Sequence, residues 1–351
     1  MGELIGGKWY RTGIETSMVD GTIQRKPSVF RGRVTQDGQP VDGGRGFRAA
    51  ASRYHLYVSL ACPWAHRTLI MRSLKGLEDV VGLSVVHWRM GEDGWTFEAG
   101  AGVVEDAVNG ANKLHELYTI ADSTCTSRVT VPILWDKAEH TIVSNESADI
   151  IRMFNSAFDG LGASVGDYYP LAHRREIDVI NERVYENLSN GVYRAGFAST
   201  QAAYDAAVRQ VFATLDWLEE RLTGSTYLVS ESLTEADIRL FPTLIRFDAV
   251  YFGHFKCNMK ALVDYPRLWE YTRRLAQHPR IRPTIDFSHI KGHYYTSHPW
   301  LNPNGIIPAG PKRDFDEPIG PVVFNRSVYA DSFRKWRQCS IPRGGYLWYA
   351  R

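Results

Sequence analysis

The chain has 351 residues, a hydrophobic share of 44% and a formal net charge of +2, enough length for two domains and no charge bias toward nucleic acid. Its four cysteines, at positions 62, 125, 257 and 339, follow neither a disulfide framework nor a zinc pattern, so no metal is expected. No apolar run approaches the roughly 20 residues of a membrane span, and the opening MGELIGGKWY lacks a signal-peptide core and a myristoylation Ser or Thr; a cytoplasmic protein is expected.

Residues 1–52 are rich in Gly, Arg and polar side chains with little periodicity, and they predict an extended arm over the surface. Within and just after it, Arg45, Arg48 and Arg53 offer either an anion site or, more simply, solvated charge. An apolar strand over 55–59 follows and runs through Cys62-Pro63-Trp64-Ala65 into an amphipathic helix. Pro63 suits the first helical turn, where its missing N–H needs no partner. Cys62 therefore sits at a helix N-terminus, where unpaired N–H groups and the helix dipole favour a thiolate over a thiol. Arg67, and His66 if protonated, would add to that field. The arrangement is half of a thioredoxin-type site, with Ala65 where a dithiol enzyme has its second cysteine. Cys62 can attack sulfur but needs an external thiol to be regenerated, and glutathione is the obvious one. The plain alternative is a buried cysteine in a strand–helix turn.

Gly76 marks the end of that helix, and VVGLSVVH (80–87) predicts a second strand, parallel to the first. Residues 88–127 read as a long polar loop in which Trp95 either covers a ligand or plugs a gap. The RVTVPILW stretch (128–135) predicts a strand interrupted at Val131-Pro132, where a cis bond would turn the Val131 backbone toward a bound peptide. The last strand, 141–143, pairs antiparallel and is followed by Ser144-Asn145-Glu146-Ser147 at the start of a helix running to about residue 154. Glu146 would face an ammonium, and Ser147 with the helix N–H groups a carboxylate, as a receptor for an α-amino acid end. An ordinary capping box would look the same.

A Gly-, Ser- and Pro-containing linker over 157–172 gives way to helical patterns over 173–188, 200–222, 235–250 and 265–276. Thr234 with Asp237, or Ser232 with Glu235, caps the third of these, and Pro242 predicts a kink in it. His254 and Cys257, with no second pair of ligands, do not make a metal site.

The fold class expected is an α/β thioredoxin-like domain followed by an all-α domain. With CPWAHRT, the Val-Pro strand, SNES and SLTEADIRLF in place, the chain resembles a glutathione transferase. The segments RYHLYVSLACPWAHRTLIMRSLKGLE, GWTF, NGVYRAGFA, LIRFDAVYFGHFKCN and HIKGHYYTSHPWLNPNGIIPAGP narrow the resemblance to the xi class, the glutathionyl-hydroquinone reductases, over about residues 25–311. The resemblance implies that Cys62 is the nucleophile and Tyr193 the proton donor or acceptor for the aromatic product. It implies that Trp95, Arg128, Val129, Thr130 and Val131 contact glutathione and that Glu146 and Ser147 hold its γ-glutamyl end. Tyr251 and Tyr294 match family tyrosines that lower the thiolate pKa, with Tyr295 not separable from Tyr294. Small aromatic glutathione conjugates as substrates, glutathione as co-substrate and a homodimer complete the expectation, with Phe197 among the lining of the substrate pocket. The same Cys62 would also serve an omega-like thioltransferase or dehydroascorbate reductase, or an aryl-ether-cleaving transferase. The tail over 312–351 lies beyond the resemblance. Its helical pattern at 328–337 and its aromatic end at 346–349 suit either a subunit contact or a cover over the site.

Overall fold

The structure, a computed structural model, describes residues 2–13, 18–23, 27–41 and 43–320. The expected arm contains short strands. β1 (Gly2–Ile5) and β2 (Lys8–Arg11) form a hairpin, β3 (Met18–Val19) pairs with β4 (Thr22–Ile23), and β5 (Arg33–Thr35) runs parallel to β6 (Gly46–Arg48). Leu4, Val34 and Phe47 are buried, so the arm is part of the core rather than a surface wrap. Arg53 chelates Asp136 at 2.5–2.9 Å, and both Arg53 and Arg45 pair with Glu139, which rules out the anion site considered for them.

The first domain is organised on β7 (Tyr54–Val58), whose five side chains are all buried. Such a continuous apolar run belongs in the middle of a sheet covered on both faces. β7 is followed by α1 (Pro63–Leu74), β8 (Val81–Val85), α2 (Leu114–Ala121), β9 (Ser127–Arg128), β10 (Ile133–Asp136), β11 (Thr141–Ser144) and α3 (Ser147–Ser156). The sheet order is β11-β10-β7-β8, with β8 parallel to β7 and the other pairs antiparallel. Gly76, at φ +61°, ends α1 with Leu77 N–H bonded back to Arg72 O, a left-handed turn that a side chain would strain. The strand expected over 128–135 is split. Val131-Pro132 is cis; Arg128 pairs with Glu3 of the N-terminal hairpin, and only Ile133–Asp136 joins β7. α2 was not anticipated in the stretch read as loop.

The second domain is helical: α4 (Arg174–Arg183), α5 (Gly191–Gly196), α6 (Gln201–Arg221), α7 (Glu235–Arg246), α8 (Pro266–Gln277) and α9 (Phe287–Thr296). Two expected helices change register near their ends. α4 passes into a π-helical turn, Val184–Ser189, and α7, with Pro242 inside it, passes into another, Phe247–Tyr251. Such turns displace the following side chains around the axis and are frequent at functional sites. Thr234 and Asp237 form the capping box of α7, and buried Asp237 also accepts from Leu228 N–H and the Tyr271 hydroxyl. α1 is wedged between α3 and α7, so His66, Arg67 and Thr68 are buried where the two domains meet. The described start of the tail lies along α8 and α9. Phe315 packs between Trp269 and Phe287, and Arg313 reaches Asp248 at 2.7 Å. The expected tail helix at 328–337 and the aromatic end at 346–349 lie outside the described residues.

Candidate active site

Cys62 is the N-cap residue of α1. Its backbone is extended, its carbonyl accepts His66 N–H at 2.9 Å, and its side chain makes no capping bond. The thiol is partly exposed and lies 3.6 Å from the Val131 carbonyl oxygen, beside the cis Val131-Pro132 bond. The local sequence explains the arrangement: the buried central strand β7 delivers the chain to its C-terminal end, and Pro63 starts the helix.

Beside the sulfur, a cleft is lined by Trp64, Arg128, Thr130, Val131 and Pro132, and across it by Asn145, Glu146 and Ser147. Pro27, Ser28 and Val29 of the arm close a third side. Glu146 has two tasks at once. One carboxylate oxygen caps α3 by accepting Ala148 N–H at 3.1 Å, and the other accepts from the Ser28 hydroxyl at 3.1 Å. Glu146 is thus the N-cap of α3 and at the same time part of the cleft's lining. Of the residues expected here, Arg128, Thr130, Val131, Glu146 and Ser147 line the cleft. Val129 and Trp95 are buried and are not part of that lining, with Trp95 stacked on His293 at 4.8 Å.

Three residues around this cleft escaped the sequence reading. Ser28 comes from a stretch without periodicity. Trp64 lies within CPWA itself and bridges two regions, since it lines the cleft and its ring sits 5.1 Å from that of Tyr193. Tyr118, on α2, is a buried hub: its hydroxyl donates to Thr130 O (3.0 Å) and accepts from Thr130 N–H (3.1 Å) and the Asn145 amide (3.1 Å). It ties the two walls of the cleft together.

On the other side of Cys62 stands a tyrosine cluster. The Tyr193 and Tyr294 hydroxyls share a short hydrogen bond, and Tyr251 reaches Tyr294 at 3.1 Å. Tyr295 is separated from its neighbour, because its hydroxyl donates to Ala249 O instead. Burial pushes all three cluster phenols up, so each keeps its proton near neutral pH, and the Cys62 sulfur is close enough to act on Tyr193 and Tyr251. Tyr251 and Tyr294 are fully buried, whereas Tyr193 is partly exposed and offers an edge to an incoming ring. Phe197 extends this aromatic wall, packing on Tyr193, His298 and Trp300.

The charges near Cys62 are not those expected. His66 is fully buried and held neutral by burial and by Arg246, which donates to its Nδ1 at 3.0 Å; its Nε2 faces Thr284. It cannot supply the positive charge considered for it. Arg67 is buried and directs one guanidinium nitrogen to Ser189. Arg246, which no sequence signal singled out, reaches instead into the turn before Cys62. Among the described residues no group of three or more His, Cys, Asp or Glu could hold a metal, and His254 faces His298 while Cys257 faces Phe255 O.

Burial lowers His254 and His293 to about 4, against about 6.5 in an unfolded chain. The unfolded state binds their protons first, so stability is complete above about pH 6.5 and is lost as pH falls toward 4, by on the order of 3 kcal/mol for each group. The melting temperature should fall steeply between pH 6.5 and 4.5. A flat profile across that window would contradict the buried, neutral placement.

Comparison with known proteins agrees with this layout. Residues 61–157 match the family model of the glutathione S-transferase N-terminal domain, and residues 201–274 that of the C-terminal domain. The glutathionyl-hydroquinone reductase PcpF of Sphingobium chlorophenolicum is 56% identical over 311 residues, covering 89% of this chain and 96% of that protein. The glutathione-bound structure of YqjG, a glutathione transferase homolog from Escherichia coli K-12, superposes with a TM-score of 0.85 at 51% identity, over 91% of this chain and 98% of the other. A xi-class glutathione transferase from Natrialba magadii gives the same TM-score at 44% identity, over 91% of this chain and 97% of its own.

Proposed function

Since the chain belongs to the glutathione transferases, and within them to the xi class, we infer that it reduces glutathionyl-hydroquinones to hydroquinones at the expense of glutathione. It is a glutathionyl-hydroquinone reductase with glutathione as co-substrate. One observation carries the mechanistic reading: a partly exposed Cys62 at a helix N-terminus lies between a polar cleft and a Tyr193 whose ring is not fully buried.

In this mechanism the Cys62 thiolate attacks the sulfur of the glutathionyl-hydroquinone. The sulfur–carbon bond breaks, its electron pair leaves with the ring carbon, and the Tyr193 hydroxyl supplies the proton that carbon needs. Cys62 then carries glutathione as a mixed disulfide. A second glutathione thiolate attacks the glutathionyl sulfur, releases oxidised glutathione and returns Cys62 as thiolate. Ala65 leaves no neighbouring thiol to compete for that second step. Arg128, Val129, Thr130 and Val131 form the peptide-binding wall, and Glu146 and Ser147 take the γ-glutamyl end. The same reading gives Trp95 a contact with glutathione, its ring braced on His293. Tyr251 and Tyr294 act behind Tyr193, favouring the thiolate and restoring the proton. We place the enzyme in the cytoplasm as a homodimer. No described helix is long and apolar enough to cross a membrane.

The test is glutathione consumption with glutathionyl-menadiol or a glutathionyl-chlorohydroquinone, run beside hydroxyethyl disulfide and dehydroascorbate. A strong preference for the conjugates is expected; equal or better rates on the small oxidants would overturn the substrate assignment in favour of thioltransferase activity.

Tyr118 offers a separate check on the cleft. Tyr118→Phe leaves the Thr130 N–H and the Asn145 amide without their partner, at a cost of about 1–3 kcal/mol in stability. The KM for glutathione should rise several-fold while kcat changes little. An unaltered KM would show that the hub does not shape the binding wall.

A further inference from the structure

Arg246 ends α7 in the second domain, yet its side chain is fully buried and serves the first domain. Its Nε donates to Ala61 O at 2.9 Å and its Nη2 to Leu60 O at 3.0 Å, which fixes the two peptide units before Cys62. Its Nη1 is shared between Pro242 O at 2.9 Å and His66 Nδ1 at 3.0 Å. All four partners are neutral. Several other buried or half-buried cations here have carboxylates: Lys75 pairs with Asp159, Arg53 with Asp136 and Arg152 with Glu235. Among the described residues no carboxylate pairs with Arg246. A guanidinium held in the interior without a counter-anion is costly.

The groups that surround Cys62 leave one anion to answer that charge. On α1, His66 is neutral and Arg67 is itself a cation turned to Ser189. From the second domain come the phenols Tyr193, Tyr251 and Tyr294, all protonated, and His293, which is neutral. The carboxylate across the cleft, Glu146, is engaged by Ala148 N–H and the Ser28 hydroxyl, which leaves the thiolate to answer the charge.

We propose that Arg246 is a positioning residue for the nucleophile: it locks the Leu60–Ala61 turn so that Cys62 meets the α1 N-terminus, and its buried charge is balanced by the Cys62 thiolate. The assignment rests on Cys62 being the nucleophile. It bears most on the second half of the reaction. Once Cys62 carries glutathione its negative charge is gone and Arg246 stands unbalanced, so the pair is restored when the incoming glutathione thiolate expels Cys62 as thiolate. Arg246 therefore favours resolution of the mixed disulfide over its persistence.

The experiment measures iodoacetamide alkylation of Cys62 against pH, read by mass spectrometry of its peptide, beside steady-state turnover, in wild type, Arg246→Gln and Arg246→Lys. Loss of the charge in Arg246→Gln should move the alkylation midpoint up by about one pH unit or more. Arg246→Lys keeps a charge but cannot fork onto two carbonyls, so its midpoint should stay near wild type while kcat falls by about tenfold. A folded Arg246→Gln with an unmoved midpoint would overturn the proposal. If that variant does not fold, Arg246→Lys decides: reduced kcat with an unmoved midpoint supports the proposal, and either full turnover or a displaced midpoint refutes it. Failure of the underlying nucleophile assignment would appear elsewhere, as turnover retained by Cys62→Ala.

Discussion

Replacing Cys62 with alanine should remove turnover by on the order of 10⁴-fold, because both chemical steps pass through its sulfur. The fold should hardly respond. The thiol is only partly buried, its bond to Val131 O is a long 3.6 Å, and its side chain makes no capping bond to α1 that alanine would lose. A change in unfolding free energy of about 1 kcal/mol or less is expected. Paired measurements of turnover and chemical denaturation separate the two effects. Substantial residual turnover in a folded Cys62→Ala protein would remove Cys62 from the mechanism, and a large loss of stability would mean that its place in the turn was misjudged.

Tyr193→Phe should give the next largest effect, a loss of about 10²–10⁴ in kcat/KM with glutathionyl-hydroquinones, the range expected for a general acid. The loss should depend on the substrate. A carbon leaving group needs a proton to depart as hydroquinone, whereas a thiolate expelled from a small disulfide does not. Hydroxyethyl disulfide turnover should therefore fall by no more than a few-fold. Burial supports the role, since it holds the Tyr193 phenol protonated at neutral pH, and the bond to Tyr294 leads to a second proton source. Equal losses on both substrates would point to a packing role for Tyr193 among Trp64, Phe197 and Phe255.

The features legible in the sequence are those encoded over a few neighbouring residues. The buried strand, Pro63 at the helix start, the bend at Val131-Pro132 and the Thr234–Asp237 capping box each depend on side chains within one turn of one another, and each is found in the structure. What stayed hidden depends on distant partners. Arg246 meets Leu60 across 186 positions, Ser28 meets Glu146 across 118, and Tyr118 meets Asn145 across 27. No periodicity announces such contacts. α2 was missed because LHELYTIA is a single short helix inside a Gly-rich stretch, where composition outweighs pattern. His66 misled for the opposite reason. One turn along α1 from Cys62, it suggested a nearby positive charge, but burial against the second domain and the Arg246 guanidinium keep it neutral. Tyr294 and Tyr295 were inseparable for another reason: a helix turns consecutive side chains about 100° apart, and these two send their hydroxyls to different places.

The central claim is that Cys62 itself takes the glutathionyl group. Its most direct measurement is intact-protein mass spectrometry after mixing the enzyme with one equivalent of glutathionyl-hydroquinone and no free glutathione. The account predicts stoichiometric release of hydroquinone and a protein heavier by one glutathionyl group, mapped to Cys62 and removed by added glutathione. Release of hydroquinone from an enzyme whose mass never changes, with turnover requiring both glutathione molecules to be bound together, would contradict it.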